Sequence, residues 1–599
     1  MLRRLSIVPL LLLAIASCAT RPPSGPPSPA QASTTSSSRV VFVSFDGVGF
    51  DALREIENQL GNDGWNRMRR EGAVARLIPV DPTLTAVTHI SMATGAPPSR
   101  TGIVSNVLHL PGSAPDAWKS GFDAEIESEP IWVAARNAGK RVGAITYPGL
   151  DGTTPDRSAD WGLIYTQPVA RSRFQELARA DFQIDTNLSR LGSFSPIRVA
   201  TIAWEWKMGA LEVSSPARLV ALDTTNDGIE NYDDFLVRHG DSERPLDDDD
   251  RWFPLSSELS DGGTISLFGA WSKLLRFEPD LSSVTIYWGP VSRNVGYPDS
   301  FRRMIDREVG FWPGPPDEWA ASQWITEKRG IDPATFGEQL SRFSDFFTRA
   351  TLLAMQRMQW DLLLSYQPIV DETGHQWLIV DDRQSHATPV NIEAAAAMRL
   401  HAHRVFDVAL ARMNAAVAPS DNLVIVSDHG MAPLHTMMRI NRLLLDWGYA
   451  SADENGRLSA GTRWAAYSSA SFSTFHSFGP DRPGEVEELV DRLKALRTPD
   501  GATAFDRVEA TGPEAHVRSG RIQAWLVPGF AFTNSTTGEI FSPSSYYGQH
   551  GYLSHHRSMH AIVAARGPSA GTLADAIAQT SIAGWLARML DVPPPSGAN

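Results

Sequence analysis

Arg39-Val40-Val41-Phe42-Val43-Ser44-Phe45-Asp46 is a nearly unbroken run of β-branched and aromatic residues that stops at an acid. A strand with one wet face alternates polar and apolar positions. This run does not, so it is expected to be buried on both faces, as in a parallel sheet covered by helices. Comparable runs recur at Val142 to Tyr147, Asp361 to Tyr366, Leu423 to Ser427 and His560 to Ala564. Helix-like stretches lie between them: Pro130 to Ala138 closed by Gly139, Phe343 to Gln359, and Ile392 to Val417. The alternation predicts an α/β sandwich. Ligands of such sheets bind beyond the carboxyl ends of the strands, which directs attention to the polar residues found there.

The chain has 599 residues, 42% hydrophobic and 20% charged, a globular composition too long for one minimal core. With 54 Lys and Arg against 68 Asp and Glu, the formal charge of −14 disfavours a nucleic-acid scaffold, whose binding rests on neutralising phosphates. A small anionic substrate held through metal ions is not disfavoured. The one cysteine, Cys18, excludes a disulfide framework and any Cys-based zinc site, so metal binding must use His and carboxylates.

At the N-terminus, Arg3 and Arg4 precede the apolar run Leu5 to Ala16. This is too short for a span, which needs roughly 20 residues, and fits a secretory signal. Ile15-Ala16-Ser17-Cys18 resembles a bacterial lipobox, so residues 1–17 are expected to be removed and Cys18 acylated. Attachment to the membrane would then be through the lipid alone. Ala19 is not the aspartate that signals inner-membrane retention, which favours the outer membrane, facing the periplasm. Residues 18–38, rich in Pro, Ser, Thr and Ala, read as an extended tether of at most roughly 60 Å.

Beyond the tether, residues 39–175 and 339–599 read as two parts of one catalytic α/β core, the second carrying an accessory segment at about 440–540. Residues 176–338 break the alternation, with strand-like pieces at Ile197 to Trp206, Ala217 to Leu222, Thr264 to Phe268 and Val284 to Trp288, and read as a β-rich insertion.

The chemistry-bearing residues follow strands. Asp46 ends the first; Asp371 and His375 stand four residues apart after another; Asp428 and His429 follow a third; His550 lies ahead of the last. Three carboxylates and three imidazoles at one predicted edge are enough for two zinc-type sites. Thr85 follows the turn Asp81-Pro82-Thr83-Leu84 at the start of a helix-like segment, where backbone N–H groups attract phosphate. A threonine hydroxyl needs a base or a metal to become a nucleophile.

These motifs resemble the alkaline phosphatase superfamily, and within it the bacterial type I nucleotide pyrophosphatase/phosphodiesterase family. The similar pieces are Asp46-Gly47, Pro82 to Gly95, Thr101 to Asn106, Glu129 to Val133, Tyr147-Pro148-Gly149, Asp371 to His375, Asp428 to Met431 and His550-Gly551-Tyr552, in the family's order. The resemblance implies an alkaline-phosphatase-like three-layer sandwich and a hydrolase of phosphate esters working through a phospho-threonine intermediate and two Zn2+. It implies one zinc on Asp371, His375 and His550, and the other on Asp46, Asp428, His429 and the Thr85 oxygen. Asn106 would donate to a phosphoryl oxygen. Two departures bear on nucleotide preference: Ala86 stands where nucleotide-cleaving members often carry an aromatic residue, and Tyr147 replaces a tryptophan.

A phosphodiesterase is expected to act on a small phosphate ester. The alternatives are a phosphomonoesterase on the same fold, for which Arg171 and Arg173 are the candidate extra cations; a phospho-group transferase; and a degenerate scaffold lipoprotein, which the complete set of six ligands disfavours. His89 is expected to orient the turn at Thr85, His401 and His403 to sit on a solvated helix face, His555 and His556 to have no functional role, and His560 to face a packed strand neighbour.

Overall fold

The strands read as doubly buried belong to one sheet. In the computed structural model, which describes residues 39–209, 211–247, 250–261, 263–480 and 482–598, it has nine strands. They are β1 (Val40–Phe45), β2 (Ala73–Ile78), β3 (Val142–Ile145), β4 (Trp161–Ile164), β5 (Val295–Tyr297), β6 (Leu362–Gln367), β7 (Asn422–Val426), β8 (Ala561–Arg566) and β9 (Ala576–Ala578). Their order is β5-β4-β3-β6-β1-β7-β8-β2-β9. Only β5 and β8 run against their neighbours; the other pairs are parallel. The Cys18 lipobox and the tether lie outside the described residues.

Every residue of β1, β6 and β7 is buried, and successive residues go to opposite layers. Val40, Phe42, Leu362 and Leu364 share a cluster with Val87 and Ile90 of helix α1 (Thr85–Thr94). Val41, Val43, Phe45 and Ile425 pack with Phe343 and Phe347 of α2 (Pro333–Arg357) and with Phe406 and Leu410 of α4 (Pro389–Ala416). Between these two helices comes α3 (Ile369–Trp377). The result is an α/β sandwich of helix, mostly parallel sheet and helix. Each Val, Leu, Ile or Phe buried this way adds about 1.5–3 kcal/mol.

Helix boundaries follow capping chemistry. α2 begins at Pro333, ahead of the expected Phe343, because Asp332 accepts from the Thr335 N–H at 2.9 Å and proline suits the first helical position. Thr388 and Pro389 start α4 in the same way. Contrary to expectation, His403 on α4 is buried, its Nδ1 donating to the Arg399 carbonyl at 2.8 Å. That alanine-rich helix packs along α2, and alanine gives little contrast between its inner and outer faces.

The β-rich stretch forms two further sheets. One holds Phe182–Ile184, Arg198–Met208, Leu211–Leu222, Asp234–His239 and Ser242–Leu246; the other holds Arg173–Leu177, Trp252–Asp261, Thr264–Phe277 and Val284–Trp288 with Ser292–Arg293. Trp204, Leu219 and Phe235 of the first meet Phe253, Phe268 and Trp288 of the second in one core, a sandwich of inward-facing side chains. Later in the chain, Trp464–Ser469, Phe472–Ser477, Ile522–Leu526 and Phe505–Ala510 make a four-stranded antiparallel sheet. Among the described residues no helix is long and apolar enough to cross a membrane.

The face of the sheet opposite α1 depends on the aromatic contact between Phe406 and Phe45, whose rings meet edge-on at 4.8 Å with both residues fully buried. Phe406→Ala is expected to lower the unfolding free energy by about 3–5 kcal/mol, read from urea denaturation. A loss below about 1 kcal/mol would show that α4 does not anchor this layer.

Candidate active site and metal centre

The sheet topology gathers the acids. Asp46 follows β1, Asp428 follows β7 and Asp371 lies in the first turn of α3, just after β6; these are three adjacent parallel strands, so the acids share one edge. Because β8 is antiparallel, the segment leading into it arrives at that same edge and brings His550. Gly47 makes the closest junction possible. Its φ is +74°, and a Cβ there would fall 2.7 Å from the Asp371 Cα.

Asp46, Asp371, Asp428, His429 and His550 are all buried. The ligand atoms of Asp46, Asp428 and His429 lie within 4.8 Å of one another, as do those of Asp371, His429 and His550. His375 stands beside Asp371, with Nε2 3.4 Å from Oδ2. His429 is central: its Nε2 is 3.0 Å from Asp428 Oδ2, 3.6 Å from Asp46 Oδ1 and 3.3 Å from Thr85 Oγ1, and its ring stacks on His550 at 3.8 Å.

Each imidazole is held from behind by a main-chain carbonyl. His375 Nδ1 donates to Gly548 O at 2.9 Å, His550 Nδ1 to Thr83 O at 2.9 Å and His429 Nδ1 to Gly430 O at 3.1 Å. A carbonyl only accepts, so Nδ1 carries a proton in each, and where the ring is neutral Nε2 presents its lone pair inward, the arrangement typical of metal-binding histidines. Burial drives His550 down to about 4, and burial with the neighbouring His550 drives His429 well below the usual range, so both rings are neutral at pH 7. His375 differs: burial opposes its charge, yet Asp371 outweighs burial and raises it to about 10.

The carboxylates are crowded. Burial first, then the charges of Asp428 and Asp371, pushes Asp46 well above the usual carboxylate range; burial chiefly raises Asp428 to about 7. Asp371 moves the other way, because His375 outweighs its burial. Asp46 Oδ1 and Asp371 Oδ1 are buried without a hydrogen-bond partner. Orphaned acceptors, mutually repelling buried acids and inward imidazole lone pairs are the donor set that divalent cations satisfy. The residues therefore fit a metal centre.

Thr85 is the first residue of α1, as expected, and that helix ends at Gly95 in the left-handed conformation. His89, one turn on, donates from Nδ1 to Thr85 O at 2.8 Å and accepts at Nε2 from Ser44 Oγ at 2.9 Å. It ties the helix start to β1. Asn106 Oδ1 accepts from the Ala86 N–H at 3.0 Å, leaving its amide donors unused by that bond. Thr85, Asn106, Tyr147, Tyr165, Glu372, His375 and His550 line a cavity of about 480 Å³. Arg157 also lines it, but its guanidinium donates to Asp151, Ala124 O and Phe122 O. Arg173 lies elsewhere, with its guanidinium on Ala203 O and over the Trp288 ring, and Arg171 is not among the lining residues.

Sequence reading passed over Tyr366, whose hydroxyl donates to Asp46 Oδ2 at 2.6 Å, and Tyr165, which donates to Glu372 at 3.1 Å. Tyr366 had looked like one more apolar residue of a buried strand. The usable signal was its position, near the end of a strand that leads directly to Asp371.

Residues 40–222 and 233–553 match the model of the type I phosphodiesterase/nucleotide pyrophosphatase family. The chain belongs to that family. That family is one of metal-dependent phosphoester hydrolases within the alkaline phosphatase superfamily. Similar solved structures include murine ectonucleotide pyrophosphatase/phosphodiesterase 5, inactive and in complex with AMP, at 15% identity over 93% of this chain and 96% of that one, with a TM-score of 0.45. Phosphonoacetate hydrolase from Sinorhizobium meliloti 1021, in complex with phosphonoformate, is 16% identical over the same shares, with a TM-score of 0.43. No curated protein matches the sequence.

The Tyr366 hydroxyl gives this family member a supporting contact behind Asp46. Tyr366→Phe is expected to lower the affinity for divalent metal by roughly 10–100-fold with the fold intact, measured as metal retained after graded chelator dialysis. Retention equal to the parent chain would mean that Asp46 does not need this bond to be held.

Proposed function

We propose that the chain is a two-zinc phosphodiesterase/nucleotide pyrophosphatase acting through a phospho-threonine on Thr85. The observation that carries this reading is the convergence of three buried carboxylates and three imidazoles beside one hydroxyl at the start of a helix, in a cavity. Asp371, His375 and His550 would hold one ion, and Asp46, Asp428 and His429 the other. Bound there, such ions lower the pKa of a nearby hydroxyl and stabilise developing charge on the attacking and leaving oxygens.

The protein's own groups account for the rest. The positive end of α1 favours the anionic phosphoryl group next to Thr85. In the first step the Thr85 Oγ–phosphorus bond forms as the Oγ–H and ester P–O bonds break; the hydroxyl proton passes to solvent, and the departing oxygen leaves with the remainder of the substrate and takes up a proton from solvent. In the second, a water oxygen bonds to phosphorus as one of its O–H bonds breaks, Thr85 Oγ departs and takes up the proton so released, and the phosphate product leaves. The Asn106 amide donors are available to a non-bridging oxygen. His89 fixes the Thr85 carbonyl and offers no free nitrogen as a base, since Nδ1 donates to that carbonyl and Nε2 accepts from Ser44 Oγ.

A diester is favoured over a monoester by the lining of the cavity. A monoester carries an additional negative charge that calls for a free cation, and Arg157, the arginine among the described lining residues, is already spent on Asp151 and two carbonyls. The test compares a bis-aryl phosphate diester with the corresponding monoester, zinc supplied. The diester should have the higher kcat/KM, and Thr85→Ala should lower turnover by on the order of 10³-fold or more while metal content stays near that of the parent. A monoester preference would assign the chain to phosphatase chemistry; undiminished turnover in Thr85→Ala would remove the threonine from the mechanism.

We also propose that Cys18 is acylated after removal of residues 1–17 and that the chain is thereby held at the outer membrane, facing the periplasm. Support comes from Ile15-Ala16-Ser17-Cys18 after a short apolar run and from the proline-rich stretch that follows. Cys18→Ser should move the protein from the membrane fraction to the soluble fraction, read by fractionation and by incorporation of labelled palmitate. Equal membrane retention in the variant would exclude the lipid anchor.

A further inference from the structure

Outside the active edge, a second set of metal-ligating side chains meets at the surface. His556 Nε2 lies 2.7 Å and His555 Nε2 3.5 Å from the same oxygen, Asp506 Oδ2. The two rings are 4.1 Å apart, and the ligand atoms of all three residues fall within 4.8 Å of one another. We propose that Asp506, His555 and His556 form a separate site for a divalent transition cation of the zinc, nickel or copper class.

Local backbone geometry aims all three. Asp506 sits where the pairing of Phe505–Ala510 with Ile522–Leu526 slips: Phe505 pairs with Leu526 and Arg507 with Trp525, so Asp506 is the extra residue of a bulge. A bulge redirects the side chain it carries. Consecutive residues of an extended chain point to opposite sides, but His555 and His556 lie in a turn closed by the His556 N–H on Leu553 O at 3.1 Å, and both rings reach Asp506.

A simple ion pair accounts for this arrangement poorly. One imidazole N–H satisfies Asp506 Oδ2, and the second ring, at 3.5 Å, adds no good hydrogen bond to it. Donors on one cation at roughly 2.0–2.2 Å stand about 3–4 Å apart, close to the separations present. Side-chain exposures of 58% for His555, 26% for His556 and 22% for Asp506 leave open positions for water. The arginines that flank the cluster in sequence point elsewhere: Arg507 lies over the Trp525 ring at 5.5 Å, and the Arg557 guanidinium is paired with Asp51 at 2.9 and 3.0 Å. Two imidazoles and a carboxylate select borderline transition metals over calcium or magnesium.

The location gives the site a consequence. His555 and His556 follow His550 within the same segment, and Asp506 belongs to the four-stranded sheet. A bound ion would clamp the segment that carries His550 to that sheet.

The test uses the full chain with its active centre already loaded, dialysed against graded Zn2+. One further equivalent is expected, with Zn2+ raising the melting temperature. Asp506→Asn and the double variant His555→Ala/His556→Ala should bind that equivalent at least about tenfold more weakly and lose the Zn2+-dependent rise, while diesterase activity of the loaded enzyme is unchanged. Titration with Cu2+ should give an electron paramagnetic resonance spectrum split by imidazole nitrogens in the parent chain and not in the double variant. Absence of a further equivalent, or equal binding by parent and variants, overturns the proposal. Because activity is read separately, failure here is distinguishable from failure of the Thr85 assignment.

Discussion

Three buried carboxylates, packed at one edge of a sheet, set the terms for the rest of this molecule. Asp46, Asp371 and Asp428 repel one another in a buried setting where charge is poorly screened, and two of them are pushed upward in pKa as a result. Such an arrangement is not selected for stability, since apolar residues of similar volume would pack there at lower cost. It persists because the surrounding structure over-determines it. β1, β6 and β7 are fully buried neighbours, Gly47 lets two chain segments meet at backbone distance, and the Tyr366 hydroxyl supports Asp46 from beneath.

The imidazoles obey a complementary constraint. Each donates its Nδ1 proton to a carbonyl in a loop: Thr83 before α1, Gly430 after β7, and Gly548 in the segment ahead of β8. Tautomer and ring orientation are thus properties of loop backbone, not of the helices or strands from which the ligands extend. Thr85 is integrated in the same way. The Thr83 carbonyl that orients His550 lies in the turn that starts α1, so the hydroxyl and a candidate ligand are positioned by one stretch of backbone.

Doubly buried strands announce themselves in a sequence, since alternation disappears, and β1, β3, β6, β7 and β8 were readable for that reason. β2 was not: Ala73–Ile78 includes Arg76, and that residue interrupts the apolar run because it reaches out to Asp51 at the rim. Acids and histidines after strands were equally legible, since a polar residue at the end of a buried run stands out. The supporting contacts were not. Tyr366 reads as apolar filling until its hydroxyl is seen on Asp46, and the burial of His403 depends on how two long helices pack, which no local pattern encodes. Asp506 lies about fifty residues before His555 and His556 and is brought to them by a bulge and a turn, neither of which has a strong sequence signature here.

The substrate cavity carries the same logic one step outward. Its acidic and aromatic wall, with Tyr147, Tyr165, Tyr366 and Glu372, contains no unpaired guanidinium among the described residues, so under the proposed reading a phosphate ester is drawn by the metal centre and the helix start rather than by an arginine. A site built this way discriminates by how much negative charge it must neutralise. Under the proposed reading it gives the second negative charge of a monoester no free arginine partner. Ala86 narrows the reading further. With no aromatic side chain at that position, aromatic contact for the group attached to phosphorus falls to Phe122, Tyr147, Tyr165 and Tyr366 of the cavity lining.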